Sequence, residues 1–366
     1  MMKTTLCTLV LGLGVCAAHA TNFYVSPTGS DANSGSSRST SMATINQALE
    51  LAQPGDKVIL LSGVYLQDVV TVRSGTAAAP IQIVGAVSPT FADASGMVAP
   101  IVIKGSGDSD RVFQIQHSYI KVQDITLDGL VGDPALIDSY REKLLFVHND
   151  NEPAGIKGVA IRRVNFRNAG GECLRFRYFV QSSEIAYSTF ENCGVHDFKF
   201  KAGKKNGEAI YIGTSFNQWS DGKNPTEDPD QSSNNRIHHN SFNTQGNECV
   251  DIKEGATNNR VYANHCTGQR DPSSAGFNSA GNGNLFYDNT VYGNIGSGVR
   301  FGSDMNGYGI ANQAWSNEIV DNQGVGFNIQ DGLQKKLCGN TISGNARGAL
   351  YVVSGAGSYT PTATCP

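Results

Sequence analysis

The sequence predicts an all-β fold, a single-domain right-handed parallel β-helix with a short capping helix near its N-terminus. Short strands of alternating apolar residues recur along the chain, and they centre on Leu174, Ile210, Val250, Phe277, Val299, Phe327 and Leu350. Successive centres are 36, 40, 27, 22, 28 and 23 residues apart, so the shortest intervals correspond to one coil of a solenoid. A β-propeller needs periods of about 40–50 residues, which these short intervals contradict. The 42 glycines suit the many turns that such a solenoid requires.

The first twenty residues are typical of a secretory signal. Lys3 precedes an apolar run at 6–17, and Ala18-His19-Ala20 forms the cleavage motif. The run is too short to span a membrane. We therefore predict an exported protein, extracellular or periplasmic, whose β-helix domain covers residues 21–366. With a formal net charge of −4 we expect a monomer that binds neither nucleic acid nor membrane.

A helix is predicted at residues 43–53, just before the first strong strand. Ile45, Ala48 and Leu49 lie on one helical face, and Pro54-Gly55 ends the pattern. A short amphipathic helix in this position is expected to cover the open end of the solenoid core.

Alternation along the strands separates residues that point inward from residues that point outward. The strand centres and the residues two positions later form the inward columns. One outward column comprises Arg175, Tyr211, Asp251, Asn278, Arg300, Asn328 and Tyr351. A face this rich in cationic, aromatic and amide side chains predicts a carbohydrate-binding cleft, although a solvated sheet face is the plain alternative. Asparagines also recur at equivalent turn positions, among them Asn240, Asn264, Asn322 and Asn340, and predict hydrogen-bonded ladders.

Six cysteines follow the signal segment, and export permits them to form disulfides. Six cysteines allow fifteen complete pairings, and the sequence alone does not choose among them. Cys338–Cys365 is the most natural pair, because it would hold the C-terminal tail. Cys266 aligns with Phe190 and Phe242 of neighbouring repeats, which predicts a small buried hydrophobic residue.

Two segments resemble secreted right-handed β-helix polysaccharide lyases. The opening segment at 23–35, followed by the helix and by Pro54-Gly55-Asp56, is similar to the start of many of these proteins. The segment Asn247-Glu248-x-x-x-Ile252-Lys253 resembles the catalytic coil of β-helical alginate lyases and of chondroitinase B. The resemblance implies β-elimination on a uronate-containing polysaccharide.

The resemblance implies a base at Lys253 and an acid at Tyr211. β-Elimination requires a neutralised uronate carboxylate, a base for the C5 proton and an acid for the departing O4. Ideal strand spacing puts the Cα atoms of Tyr211 and Lys253 about 8 Å apart. We expect neighbouring cations to lower the pKa of Lys253. Its alternative is a surface lysine paired with Asp251 or Glu254.

Three glutamates, Glu172, Glu208 and Glu248, stand at equivalent positions before three successive strands. Stacked carboxylates repel each other unless a cation lies between them, and calcium prefers such oxygen ligands. The resemblance implies a calcium ligand at Glu248. Salt bridges to Arg175, Arg177 or Lys205 are an equal alternative.

Several other side chains are predicted to bind an anionic polysaccharide. Arg300 could hold a carboxylate through two hydrogen bonds. The further candidates are Arg175, Arg177, Asn278, Lys201 and His196. An insertion at 214–235 is predicted to form a cleft wall or a lid.

The predicted function is that of a secreted polysaccharide lyase that cleaves alginate or a related uronate polymer. A chondroitin or pectate lyase and a uronate C5-epimerase remain alternatives on the same fold. A non-catalytic glycan-binding β-helix is the alternative from a different class, because a fold does not imply chemistry.

Overall fold

A computed structural model describes residues 20–86, 100–107, 110–149, 154–203 and 206–365. The predicted signal segment lies almost entirely outside these residues, as do Lys204 and Lys205. Among the described helices, none has the length and apolar character needed to cross a membrane.

The predicted parallel β-helix is confirmed, and its strands form two long parallel sheets. We name the smaller one the cleft sheet. Its strands are β4 (Val69–Val70), β7 (Arg111–Ile115), β9 (Lys143–His148), β12 (Leu174–Arg177), β16 (Ile210–Ile212), β19 (Val250–Ile252), β22 (Ala275–Ser279), β25 (Ser297–Phe301), β28 (Phe327–Ile329) and β31 (Leu350–Val352). Each strand pairs in parallel with the strand one coil further along the chain.

The larger sheet, which we name the back sheet, bends around the other sides of the coil. Its strands are β1 (Asn22–Val25), β2 (Lys57–Leu60), β3 (Gly63–Tyr65), β5 (Ile81–Gly85), β6 (Ile101–Ile103), β8 (Ile120–Asp128), β11 (Ala160–Arg167), β14 (Glu184–Ala186), β15 (Thr189–Glu191), β17 (Arg236–His238), β18 (Ser241–Asn243), β20 (Arg260–Tyr262), β21 (His265–Thr267), β23 (Leu285–Tyr287), β24 (Thr290–Tyr292), β26 (Gln313–Trp315), β27 (Glu318–Val320), β29 (Lys336–Cys338) and β30 (Thr341–Ser343). A separate pair consists of β10 (Ile156–Lys157) and β13 (Val180–Gln181).

The N-terminal helix α1 spans Ile45–Leu51, within the predicted range of 43–53. Thr44 caps it by accepting a hydrogen bond from the backbone of Gln47, and Ile45, Ala48 and Leu49 are buried. The helix packs against β1, β2 and β4, the first strands of the solenoid. A second helix, α2, is a single turn at Val195–Phe198. Short 3₁₀ turns lie at Arg38–Thr40, Ile137–Ser139 and Phe216–Gln218.

The core follows the predicted inward columns. Leu174 pairs with Ile210, Ile210 with Val250, and the same register continues through Phe277, Val299, Phe327 and Leu350. All but the last of these residues are fully or almost fully buried. Stacking one apolar side chain directly above the next removes a continuous apolar column from water.

Asparagine ladders satisfy the backbone at three turns. In each ladder the backbone N–H of one asparagine donates to the Oδ1 atom of the asparagine one coil further on, at 2.9–3.1 Å. The ladders are Asn235–Asn259–Asn284–Asn312, Asn240–Asn264–Asn289–Asn317–Asn340 and Asn294–Asn322–Asn345. The predicted ladder is therefore confirmed, but Asn322 belongs to a different ladder from Asn240, Asn264 and Asn340.

All six described cysteines form disulfides. The predicted pair Cys338–Cys365 is confirmed. Cys173 pairs with Cys193, and Cys249 pairs with Cys266. The predicted burial of Cys266 is confirmed, but the prediction that it is simply a small hydrophobic residue is wrong, because its sulfur is bonded to Cys249, the residue before β19.

Candidate active site

The predicted outward column is confirmed along the cleft sheet. Arg175 pairs with Tyr211, Tyr211 with Asp251, and Asp251 with Asn278. The column continues through Arg300, Asn328 and Tyr351. Because parallel neighbours stand in register, each side chain contacts those of the coils before and after it.

Three carboxylates converge at the centre of this face. One oxygen of each of Glu208, Glu248 and Asp251 lies within 4.8 Å of the others, and all three residues are buried. Burial and the nearby Glu248 carboxylate raise the pKa of Glu208 to about 8. Burial and Asp251 likewise raise the pKa of Glu248. The cluster therefore holds more negative charge than its surroundings balance.

Neighbouring donors orient each carboxylate of the cluster. The backbone N–H of Gly207 donates to Glu208 Oε2 at 2.9 Å, and Ser274 Oγ donates to Glu248 Oε1. Asn278 Nδ2 donates to Asp251 Oδ1 at 2.6 Å. Asn278, predicted to bind substrate, is almost fully buried and instead positions Asp251.

Lys253 stands beside this cluster. Its Nζ atom lies 2.8 Å from Asp251 Oδ2 and 5.1 Å from the centre of the Tyr211 ring. Burial alone would lower the pKa of Lys253. The nearby acidic groups, Asp251 first and then Tyr211, Glu248 and Glu208, raise it by more than burial lowers it, so the pKa stands well above its ordinary value. The expectation that neighbouring cations lower this pKa is wrong, because the charged neighbours that dominate are carboxylates.

Tyr211 lies between two cations. The Arg175 guanidinium is 4.3 Å from the centre of the Tyr211 ring, and the Lys253 ammonium approaches the same ring. Tyr211 is only 7% exposed, and burial raises the pKa of its hydroxyl. The phenol is therefore protonated and can donate a proton.

Glu172 is not brought into the carboxylate cluster. Its carboxylate pairs with Arg175 Nη1 at 3.0 Å and with Lys143 Nζ at 2.6 Å. Burial raises the pKa of Glu172, but Lys143 and Arg175 lower it by more. For this glutamate the structure shows the salt bridge to Arg175, and Asp251 occupies the third position of the cluster.

The two predicted cleft arginines of β12 are covered by the insertion. Arg175 Nη2 donates to Gln218 Oε1 at 3.2 Å. Arg177 Nε donates to Asn224 Oδ1 at 2.7 Å, and its Nη2 atom lies 3.5 Å from Asp221. The insertion at 214–235 therefore forms a wall over this part of the cleft sheet, and both arginines are buried beneath it.

The remaining predicted binding residues lie in different places. Arg300 is partly exposed; it donates to Asn278 Oδ1 at 2.8 Å and to the carbonyl of Ser273 at 2.9 Å. His196 forms a hydrogen bond with Glu142 at 3.0 Å. Lys201 lines a separate cavity with Asp197 and Pro272.

The donor set of the cluster fits a calcium ion. Glu208, Glu248 and Asp251 offer only carboxylate oxygens, which are the ligands that calcium prefers. Burial, together with the neighbouring carboxylates, raises the pKa of Glu208, so its ionised form is disfavoured in this place. A divalent cation would supply the missing positive charge.

Sequence reasoning missed Asp251 as a member of the cluster and Lys143 as the partner of Glu172. Asp251 occupies the outward column directly above Tyr211, so the stacking rule alone could have placed it beside Glu248. Lys143 is the first residue of β9, and this strand precedes Leu174, the first strand centre that was recognised in the sequence.

Comparisons with solved structures place the fold among β-helical polysaccharide lyases. An alginate lyase from Paenibacillus sp. str. FPU-7 aligns with a TM-score of 0.66 and 20% identity, over 84% of this chain and 95% of that chain. The pectate lyase Pel9A aligns with a TM-score of 0.57 and 14% identity, over 92% of this chain and 81% of that chain. At such identities the likeness shows a shared fold. Neither a family profile nor a curated protein sequence matches the chain.

Proposed function

We propose that the protein is a secreted polysaccharide lyase that cleaves a uronate-containing polymer by β-elimination, and that its substrate is alginate. The observation that carries this proposal is the placement of Lys253 and Tyr211 against each other on the outward face, 5.1 Å from ammonium to ring centre. The shared fold with an alginate lyase and a pectate lyase supports it. Three disulfides suit an exported protein.

The proposed reaction gives each of the two side chains one role. Lys253 removes the C5 proton, the C4–O4 bond breaks, a C4=C5 double bond forms, and Tyr211 donates its proton to O4. The raised pKa of Tyr211 keeps its hydroxyl protonated in the free protein, so that it has a proton to give. Lys253 is protonated in the free protein, because Asp251 stabilises its ammonium, so a base at this position requires that the carboxylate charge be offset.

Glu208, Glu248 and Asp251 would hold the calcium ion. When bound, calcium would neutralise carboxylate charge and make the ammonium form of Lys253 less favourable. The protein's own contributions are the orientation of Asp251 by Asn278 and of Glu248 by Ser274.

The test is the ultraviolet absorbance of the unsaturated product during incubation with alginate, pectate and chondroitin. We expect absorbance to rise with alginate, and we expect Lys253→Ala and Tyr211→Phe each to lower kcat by about 10²–10⁴-fold. Arg260→Ala, which replaces an exposed arginine of the back sheet, is the matched control. Full activity of Lys253→Ala would overturn the assigned roles.

The same incubation separates the alternatives. A C5-epimerase would invert the uronate at C5, visible by NMR, without producing the double bond. A glycan-binding protein would bind the polymer and produce neither change. Absence of product on all three polymers would overturn the lyase proposal.

A further inference from the structure

A cavity of about 580 Å³ opens on the last coils of the cleft sheet. It lies beyond the carboxylate cluster, and its polar lining includes Ser273, Ser297, Asn328, Gln330, Arg347 and Tyr351. Its volume falls within the range of about 300–1,000 Å³ that small-molecule sites occupy. None of the proposed reacting groups lines this cavity.

The charge along the edge of the cleft sheet changes between the cluster and the cavity. In three successive coils, the residue two positions before the strand centre is a glutamate: Glu172, Glu208 and Glu248. In the next four coils this position is uncharged. There it holds Ala275, Ser297, Val325 and Gly348. Two arginines lie in these later coils: Arg300 is in the outward column, and Arg347 lines the cavity. An anionic chain is therefore attracted to this half of the face.

Three side chains of the cavity are available to a ligand. The Arg347 side chain is exposed, and no described residue forms a hydrogen bond or ion pair with its guanidinium. Asn328 Oδ1 is buried without a hydrogen-bond partner among the described residues, so it lacks a donor. Tyr351 is 53% exposed and stands next to Asn328 on the neighbouring strand.

We propose that this cavity is a distal subsite for an acidic sugar residue of the polymer. Arg347 pairs with the sugar carboxylate, Tyr351 packs against the sugar ring, and Asn328 Oδ1 accepts a hydrogen bond from a hydroxyl. Tyr351 lies four coils beyond Asp251, or about 19 Å at ideal strand spacing. This proposal rests on the proposed function in one respect: the polymer bound at the subsite is the polymer that is cleaved at Lys253.

The test compares Arg347→Ala and Tyr351→Ala with wild type and with Arg260→Ala, an exposed arginine on the back sheet. Binding of sodium alginate to the full chain is measured by calorimetry at low and at high salt. Turnover is measured on long alginate and on the shortest oligomer that is cleaved. Thermal unfolding confirms that each variant remains folded.

We expect Arg347→Ala to weaken binding of long alginate and to raise its KM by about tenfold, with kcat unchanged. Tyr351→Ala should weaken binding by about threefold to tenfold. Arg347→Lys should recover part of the loss, and the shortest oligomer should not distinguish the variants. Binding of long alginate within twofold of wild type for both alanine variants would overturn the subsite.

The two proposals fail in different ways. If wild type binds alginate without cleaving it and Arg347→Ala abolishes that binding, the subsite stands and the lyase proposal falls. If wild type cleaves alginate and both alanine variants match it on long polymer, the lyase proposal stands and the subsite falls. If wild type binds no uronate polymer, both fall.

Discussion

Around Asp251, three buried carboxylates face a single lysine. The ammonium of Lys253 lies against Asp251, while Glu208 and Glu248 share the same small volume. Burying a charge without a partner is costly, so such a group takes up a proton or a cation. The raised pKa of Glu208 indicates that this glutamate retains a proton near neutral pH when no cation is bound. The site is therefore sensitive to any ion that replaces that proton.

Calcium should stabilise the folded protein through these residues. A ligand that binds only the folded state adds about 2.7 kcal/mol at a concentration one hundred times its Kd. We expect added calcium to raise the Tm of wild type and a chelator to lower both Tm and activity. Glu248→Gln should lose the calcium-dependent rise in Tm, whereas Glu191→Gln, an exposed glutamate of the back sheet, should keep it. A wild-type Tm that changes with neither calcium nor chelator would contradict the calcium site.

His196 gives folding a pH dependence of its own. Its hydrogen bond with the Glu142 carboxylate raises the pKa of His196 above the ordinary value. The folded state therefore binds this proton more tightly than the unfolded state, and the resulting stability is present in full below about pH 6.5. That stability is lost as the pH rises through the raised pKa of the folded state.

We predict that, as the pH rises above about 6.5, the unfolding free energy of wild type falls more steeply than that of His196→Gln. Urea denaturation at several pH values measures this difference. His265→Gln, an exposed histidine of β21, should behave like wild type. Parallel pH curves for wild type and His196→Gln would show that the His196–Glu142 bond contributes no pH dependence.

At the scale of strands, the register of the cleft sheet could be predicted from the sequence. Each coil repeats the same in-and-out alternation, so aligning Leu174 with Ile210 and Val250 also places Tyr211 beneath Asp251. A one-residue slip would turn every apolar side chain toward water, which is why the pattern defines the pairing so firmly. The turn asparagines were predictable for the same reason.

Contacts made by the loops could not be predicted in this way. Arg175 was correctly assigned to the outward face, but alternation does not show that Gln218 and the rest of the insertion fold over it. Cys266 was predicted to be buried in line with Phe190 and Phe242, and it is, yet that position does not reveal the sulfur that it faces. The first feature depends on an insertion outside the repeat, and the second on which two repeat positions face each other inside the coil.

One buried carboxylate helps to hold the insertion in place. Asp230 is fully buried and accepts hydrogen bonds from the backbone N–H groups of Tyr178 and Phe179 at 2.6 and 2.9 Å, and from Thr214 Oγ1 at 2.8 Å. Ser232 donates to it as well. Its removal would leave these buried donors without an acceptor, at about 1–3 kcal/mol for each unsatisfied group.

We therefore expect Asp230→Ala to lower the unfolding free energy by about 3 kcal/mol or more. Limited proteolysis should then cut within 214–235, where wild type resists. Asp228→Ala, at an exposed position of the same insertion, is the control and should change neither measurement. Unchanged protease resistance of the insertion in Asp230→Ala would show that other contacts hold the wall.

Over the whole molecule, the outward face is covered over β9 and β12 and open at its C-terminal end. Phe146 and Arg175 are 2% and 5% exposed, and the insertion lies across Arg175. On the far side of Asp251, Arg300 and Asn328 are partly exposed and Tyr351 is 53% exposed. The acidic cluster stands at the boundary between the two halves. An anionic polymer therefore finds more room beyond Asp251 than over Arg175, where the insertion lies.

This one-sided face predicts cleavage near a chain end. A polymer that lies along the open half reaches Lys253 and Tyr211 with its terminal residues and meets the wall beyond them, so short unsaturated products should be released from the start. We expect the viscosity of alginate to fall slowly while absorbance rises, and early products to be short oligomers by mass spectrometry. Asp230→Ala, which loosens the wall, should give a faster fall in viscosity for the same rise in absorbance, whereas Asp228→Ala should not. A rapid loss of viscosity at low conversion by wild type would mean that polymer crosses the wall, and that the covered half opens to admit it.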